Sequence, residues 1–185
     1  MTNKMAIIGL GIMGRRMLEN ALQHPAFEIC GVWDPSTASV AKTMEMAPDV
    51  TIAPHAQAAM DGADVVYLAC PPGPRKTYAL QAAAAGQGVF MEKPLGTDNA
   101  QSRDLVAQLR QARLPGVVNF TQAASRGFDE LSRAIAAGRT EQMTASMLST
   151  SFRKAACPAS VFRSRTTLRL LRLVIRKKCP MPAFR

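Results

Sequence analysis

The segment Gly9-Leu10-Gly11-Ile12-Met13-Gly14 could bind phosphate, because it joins an apolar run, 5–8, to a helix-like segment, 15–23. A strand that passes through glycines into a helix directs backbone N–H groups and the positive end of the helix dipole at one point, where a pyrophosphate can lie. Gly9 permits the tight turn, Gly11 lets the phosphates approach the backbone, and Gly14 lets the helix pack closely. The pattern predicts a dinucleotide site.

Asp34 supplies a second group expected at such a site, because it follows an apolar run, 27–33, and lies twenty residues beyond Gly14. In a βαβ unit of about thirty residues, this is the tip of the next strand, where a carboxylate accepts hydrogen bonds from the adenosine ribose. The charge of Asp34 favours NAD over NADP, since a 2′-phosphate would meet a like charge. Arg15 and Arg16 leave two interpretations open: they bind phosphate, or they are solvated residues of the first helical turn.

A third group, Glu92-Lys93-Pro94, closes another apolar run and could move a proton. A lysine at this place can donate a hydrogen bond to a substrate oxygen or exchange a proton with it. Glu92 can hold the lysine or orient the local backbone. Pro94 favours an extended conformation at Lys93 and permits a cis peptide bond. The alternative interpretation is a solvated turn of charged residues before a proline.

Short apolar runs alternate with helix-like segments as far as about Gly138, which predicts an α/β fold with a parallel sheet and crossover helices. The six predicted strands are 5–9, 27–33, 50–53, 65–69, 89–92 and 116–121. The predicted helices are 12–23, 37–45, 56–60, 76–85, 99–113 and 128–137. Thr97 or Asp98 can cap the fifth helix, and Gly86 and Gly138 can end the fourth and sixth. Right-handed crossovers make this a doubly wound sheet with helices on both faces.

A doubly wound sheet binds ligands at the carboxyl ends of its strands. The loops after residues 9, 34, 70, 92 and 121 are therefore candidate site loops. Cys70 and Pro71 lie in one of them and are followed by Pro72-Gly73-Pro74. Because this stretch is too rich in proline to continue a strand, we expect a rigid loop beside the cofactor, with a plain structural turn as the alternative.

These motifs together resemble the glucose-fructose oxidoreductase, inositol dehydrogenase and MocA family. The resemblance runs from about Lys4 to Gly138 and is most specific at Gly88-Val89-Phe90-Met91-Glu92-Lys93-Pro94-Leu95. Members of that family combine an N-terminal Rossmann domain, which binds NAD or NADP, with a C-terminal domain that holds a sugar, polyol or related hydroxy compound. The glycine loop alone also resembles 3-hydroxyisobutyrate-type dehydrogenases, but the Glu-Lys-Pro element does not fit them.

The resemblance assigns roles by position. The pyrophosphate would contact the glycine loop, and the ribose would contact Asp34. The nicotinamide side would contact the Glu-Lys-Pro element, with Lys93 as the catalytic lysine. The residues implied in cofactor binding are Gly9, Gly11, Ile12, Met13, Gly14, Asp34, Cys70, Pro71, Glu92, Lys93 and Pro94. The implied reaction is hydride transfer between the nicotinamide and a secondary alcohol carbon.

Two departures from the family pattern bear on activity. The family has a histidine shortly after the proline of the fourth strand, where this chain has Pro74-Arg75-Lys76. The family also places an aspartate and a histidine on a helix of its second domain, whereas His24 and His55 lie in the Rossmann half and no acid follows Glu141. Two functions stay open: an NAD(P)-dependent oxidoreductase, and a truncated nucleotide-binding remnant or regulatory module without turnover.

The net charge of +10 arises at the end of the chain. Residues 1–150 carry thirteen basic and thirteen acidic side chains, whereas residues 151–185 carry ten basic and none acidic. We therefore predict a Rossmann domain over 1–139 and an atypical basic tail, irregular or helical, over 140–185. The tail is interpreted as the arginine-rich product of an interrupted reading frame, with a basic amphipathic helix for a partner or an anionic membrane as the alternative.

Composition places further bounds on partners and compartment. An apolar content of 48% is enough for a core, and the four cysteines have no metal-ligand spacing. We expect a cytoplasmic protein without a signal peptide, a spanning helix or a metal. The expected partners are a nicotinamide dinucleotide and, in an active enzyme, a small-molecule substrate. We expect no nucleic acid and no membrane contact by the tail. Homo-oligomers are expected, because apolar surface that a second domain would cover stays exposed.

Overall fold

Five parallel strands form one sheet in the computed structural model, which describes residues 2–120 and 126–137. The strands are β1 (Asn3–Ile8), β2 (Phe27–Trp33), β3 (Val65–Leu68), β4 (Gly88–Glu92) and β5 (Gly116–Asn119). Their order in the sheet is β2-β1-β3-β4-β5, and every pairing is parallel. The predicted α/β fold with a parallel Rossmann sheet is confirmed.

Helices connect the strands of this sheet. They are α1 (Ile12–Leu22), α2 (Thr37–Met46), α3 (Ala56–Met60), α4 (Pro72–Ala84) and α5 (Asn99–Gln111), and α6 (Arg126–Ala136) follows β5 in sequence. The chain moves from β1 to β2 in one direction and from β2 through β3 to β5 in the other, so right-handed crossovers place α1 on one face and α3, α4 and α5 on the opposite face.

The core lies between the sheet and the helices that cover it. Residues 5–8 of β1 and all of β3 are buried, as expected for parallel strands that are covered on both faces. On the face of α3, α4 and α5, one cluster joins alternate strand residues such as Ile8 and Leu68 to Ala59, Ala79 and Leu105. Residues described up to Asn119 belong to one compact unit, and α6 belongs to a second.

The predicted strand at 50–53 is wrong. Ile52 forms only an isolated bridge with Val32 of β2. Two backbone hydrogen bonds hold the segment there, from Val32 N to Thr51 O (3.1 Å) and from Ala53 N to Val32 O (2.9 Å). Pro48 and Pro54 flank the segment and have no N–H to donate, so the pairing cannot lengthen into a strand.

The prediction of a rigid proline-rich loop after β3 is also wrong, because α4 begins at Pro72, four residues before the predicted start of that helix. Proline fits the first helical turn, where its missing N–H would have no intrahelical partner. Pro71 is the N-cap, and Pro72, Gly73 and Pro74 form the start of the helix.

The predicted helix ends at Asp98 and Gly86 are confirmed. Asp98 caps α5 by accepting hydrogen bonds from Ala100 N (2.6 Å) and Gln101 N (3.2 Å). Gly86, with φ +74°, follows the end of α4 as predicted.

The division at residue 139, Gly138 and the basic tail lie outside the described residues. Within the described residues, no helix is long and apolar enough to cross a membrane.

Candidate active site

The turn after β1 excludes side chains at two of its glycines. Gly9 has φ +98°, and a Cβ there would lie 2.5 Å from the backbone nitrogen of Cys70. A Cβ at Gly14 would lie 1.8 Å from the carbonyl oxygen of Gly9. Both distances are shorter than any real contact, so the turn folds against the end of β3 only with glycine at these two positions.

The N-terminus of α1 offers the chemistry that a pyrophosphate requires. Gly11 is the N-cap of α1 and has no side chain that could cap the helix. Among the described residues, no side chain accepts a hydrogen bond from the backbone N–H of Ile12 or Met13, so these first-turn groups are available to an anion. A Cβ at Gly11 would meet nothing within 4 Å, and Ile12 is 76% exposed. The space in front of the helix is therefore open, and these residues fit a dinucleotide phosphate.

Asp34 lies beside this turn and shapes it. Its Oδ2 accepts a hydrogen bond from Leu10 N (2.6 Å), and its Oδ1 accepts one from Ser36 N (2.7 Å). The half-buried carboxylate keeps further lone pairs for a ribose hydroxyl. The guanidinium of Arg15 donates to the carbonyl oxygen of Leu10 (2.6 Å). Arg15 is therefore hydrogen-bonded to the turn and is not a fully solvated residue of the first helical turn.

Cys70 and Pro71 follow β3, and the backbone of Cys70 lies against the glycine turn. Cys70 is buried against Gly9, and burial raises the pKa of its thiol. The exposed Pro71 occupies the N-cap position of α4 and forms no side-chain cap hydrogen bond. This edge of the sheet therefore brings Asp34, the glycine turn and Cys70 together along three adjacent strands.

The carboxylate of Glu92, at the end of β4, is buried in a hydrogen-bonded network. Tyr67 of β3 donates its hydroxyl to Oε1 (2.5 Å), and Asn119 of β5 donates its side-chain amide to the same atom (2.5 Å). Burial and the nearby Glu92 charge raise the pKa of Tyr67, so the tyrosine stays a donor. Three neighbouring strands thus hold Glu92 in place.

Lys93 has its backbone fixed and its side chain exposed. Its N–H donates to Oε2 of Glu92 (3.3 Å), and the Lys93-Pro94 peptide bond is cis. Among residues 2–120 the Lys93 ammonium forms no ion pair, so Glu92 orients the lysine through the backbone and not through its charge.

Three further residues of this site were not identified from the sequence. Arg75 is 2% exposed and donates to the carbonyl oxygens of Cys70, Glu92 and Pro94. The departure from the family pattern at Pro74-Arg75-Lys76 was the only signal for it. Tyr67 and Asn119 lie on strands that flank Glu92, and the strand order, which puts their side chains within reach of that carboxylate, could have indicated them.

Comparison with known proteins gives a consistent result. Residues 3–120 match the model of the GFO/IDH/MocA oxidoreductases, described as an oxidoreductase family with an NAD-binding Rossmann fold. An inositol 2-dehydrogenase of Pseudomonas syringae pv. syringae is 29% identical over an alignment of 145 residues, and the match covers 75% of this chain and 43% of that protein.

Solved structures share the fold. Myo-inositol 2-dehydrogenase of Lactobacillus plantarum superposes with a TM-score of 0.67 at 18% identity, covering 75% of this chain and 42% of that chain. The WlbA dehydrogenase of Chromobacterium violaceum, in complex with NADH and UDP-GlcNAcA, superposes with a TM-score of 0.68 at 21% identity. This match covers 75% of this chain and 41% of that chain. The chain spans less than half the length of each of these relatives.

Proposed function

The chain belongs to the GFO/IDH/MocA family of oxidoreductases with an NAD-binding Rossmann fold, and on that premise we propose that it binds NAD and transfers hydride to or from a hydroxy compound. The substrate class is a sugar, polyol or related hydroxy compound, in keeping with the inositol 2-dehydrogenase named above. The observation that carries the proposal is the open, uncapped N-terminus of α1 beside the carboxylate of Asp34.

The cofactor would be held along the carboxyl edge of the sheet. First-turn N–H groups of α1 receive the pyrophosphate, and the remaining lone pairs of Asp34 accept from the ribose hydroxyls. The negative charge of Asp34 disfavours a 2′-phosphate, which supports NAD over NADP. Cys70 and Pro71 line the middle of this edge, and Glu92, Lys93 and Pro94 lie toward the nicotinamide side.

Lys93 is the proposed proton-transfer residue. When bound, NAD would supply the acceptor for the hydride of the alcohol carbon. In its neutral form, the Lys93 amine takes the hydroxyl proton while the C=O bond forms, and it returns the proton in the reverse reaction. Glu92 and its donors Tyr67 and Asn119 keep the lysine backbone in place during this exchange.

A second candidate function is a nucleotide-binding module without turnover. The observation that favours it lies at Lys93, whose exposed side chain forms no ion pair with the residues that the structure describes. Both functions require the same cofactor site. They differ only in whether substrate is converted.

Titration with NADH, followed by fluorescence, tests the shared site, and a screen of inositols, other polyols and sugars with NAD separates the two functions. Gly11→Ala should weaken NADH binding at least about tenfold, because its methyl group enters the space for the phosphates. Gly73→Ala is the matched control, since its Cβ would also meet nothing within 4 Å but lies in α4. Binding with turnover supports the oxidoreductase, and binding without turnover supports the module. Absence of NADH binding by the full chain would contradict both.

A further inference from the structure

Arg75 is a buried cation held by carbonyl groups. Its Nη1 donates to the carbonyl oxygens of Glu92 (2.5 Å) and Pro94, and its Nη2 donates to that of Cys70 (2.6 Å). No ion pair among the described residues includes it. Hydrogen bonds lower the cost of burying a guanidinium, and the planar fork of Arg75 reaches three carbonyls through Nη1 and Nη2, while its buried Nε forms no hydrogen bond with the described residues.

Two of these carbonyls flank Lys93. The Glu92 carbonyl belongs to the peptide group before the lysine, and the Pro94 carbonyl belongs to the peptide group that follows the proline. The N–H of Lys93 is held in turn by the carboxylate of Glu92. The backbone is thus fixed on both sides of the lysine, and only its exposed side chain is left to move.

The third carbonyl connects Lys93 to the glycine turn. Cys70, whose carbonyl accepts from Arg75, is the residue whose backbone lies against Gly9. One side chain therefore joins the end of β4, which carries the lysine, to the segment on which the phosphate-binding turn rests.

From these contacts we propose that Arg75 is a positioning residue, which sets the place of Lys93 relative to the glycine turn through the backbone. The proposal rests on the function proposed above in one respect, namely that Lys93 is the proton-transfer residue. Arg75 itself touches neither cofactor nor substrate in this account. Its loss should disorder the lysine and leave the phosphate site intact.

Hydrogen exchange of the full chain tests this without relying on turnover. In Arg75→Met, we expect amide exchange in a peptide covering residues 92–96 to be at least about tenfold faster, while exchange in residues 9–15 changes less than about twofold. Arg75→Lys should give an intermediate result, because a single ammonium cannot span three separate carbonyls. Arg103→Met is the control, since Arg103 is an exposed arginine on α5.

Kinetics supply a second readout when the wild-type chain turns over. Arg75→Met should lower kcat at least about tenfold and leave the KM for NAD within about twofold, because binding and positioning are separated. A purely structural role would instead lower thermal stability and NADH affinity together.

Several outcomes would overturn the proposal. The first is a folded Arg75→Met variant in which the amides of residues 92–96 exchange as slowly as in the wild type. If Arg75→Met does not fold, a folded Arg75→Lys variant with the wild-type exchange rate in residues 92–96 contradicts the proposal. Loss of folding in both variants contradicts it as well. A wild-type chain that neither binds NADH nor turns over substrate contradicts the proposed function, but it leaves the exchange result on Arg75 to be judged on its own.

Discussion

A methyl group at position 14 has no room. Because the Cβ of Gly14→Ala would lie 1.8 Å from the backbone oxygen of Gly9, the turn or the helix must shift. We expect the free energy of unfolding to fall by about 3 kcal/mol, at the upper end of overpacking costs. Urea denaturation measures this, with Gly73→Ala expected to be neutral or slightly stabilising. Equal stability of the two variants would contradict the geometry described for the turn.

The charge of Asp34 can be removed while its shape is kept. In Asp34→Asn, the amide oxygen can still accept from Leu10 N, but a 2′-phosphate no longer meets a negative charge. The ratio of NADPH to NADH affinity should rise about tenfold. Titration with both cofactors gives the ratio, and Asp49→Asn, an exposed aspartate, controls for the change in net charge. An unchanged ratio would remove Asp34 from cofactor selection.

Tyr67 donates to a buried carboxylate, and its removal leaves that group with fewer donors. Tyr67→Phe should lower the free energy of unfolding by about 2 kcal/mol at pH 7. Tyr78→Phe is the matched control, because the Tyr78 hydroxyl forms no hydrogen bond with another residue described in the structure. A loss as small as that of the control would mean that the hydroxyl of Tyr67 contributes little to stability.

The same residue predicts a pH dependence. Burial and the Glu92 charge raise the pKa of Tyr67 in the folded protein, whereas the unfolded chain ionises near pH 10. The contribution of Tyr67 to the free energy of unfolding is therefore fully present below about pH 10. It falls as the pH rises further, because Tyr67 loses its proton only in the unfolded state. The difference in unfolding free energy between wild type and Tyr67→Phe should shrink from pH 7 to pH 11. A constant difference across that range would contradict the assigned environment.

At the scale of elements, the start of α5 depends on one side chain. Asp98 accepts from two first-turn N–H groups, so Asp98→Ala should cost about 1 kcal/mol in urea denaturation. Thr97→Ala is the control, because the neighbouring Thr97 is exposed and does not cap the helix. Equal losses in the two variants would assign the cap to both residues.

Most elements of the sheet could be predicted from the sequence, because continuous apolar runs are typical of buried parallel strands. Phe27–Trp33 and Ala56–Met60 have the predicted bounds. The errors arise at prolines. Residues 50–53 have strand-like composition but are limited by the prolines on either side, and Pro72-Gly73-Pro74 forms a first helical turn, which local propensity does not distinguish from a loop.

The candidate site was less predictable than the fold. Gly9, Gly14 and Asp34 follow from spacing along the chain, because a βαβ unit brings nearby residues together. Arg75, Tyr67 and Asn119 depend on contacts between strands and helices that lie 17 to 27 residues from Glu92 in sequence. No local pattern reports such contacts, and a buried arginine is contrary to the usual preference of that residue for the surface.

At the scale of the whole molecule, the candidate site occupies one edge of one sheet. Its predicted residues all lie between positions 9 and 94, within the compact unit that reaches Asn119. The family match covers the same part of the chain, residues 3–120. We therefore expect the full chain to bind the cofactor whether or not it converts a substrate.

The two hydrogen bonds of Leu10 have a consequence for the speed of cofactor capture. Asp34 accepts from its N–H and Arg15 donates to its carbonyl oxygen, so the turn is ordered by the protein's own side chains. A turn that is already ordered need not change shape during an encounter, so binding should occur in one step. Trp33, which immediately precedes Asp34, is the single tryptophan of the chain and can report the event. In stopped-flow mixing, the observed rate constant of its quenching should rise linearly with NADH concentration, without the plateau that a slow loop rearrangement would impose.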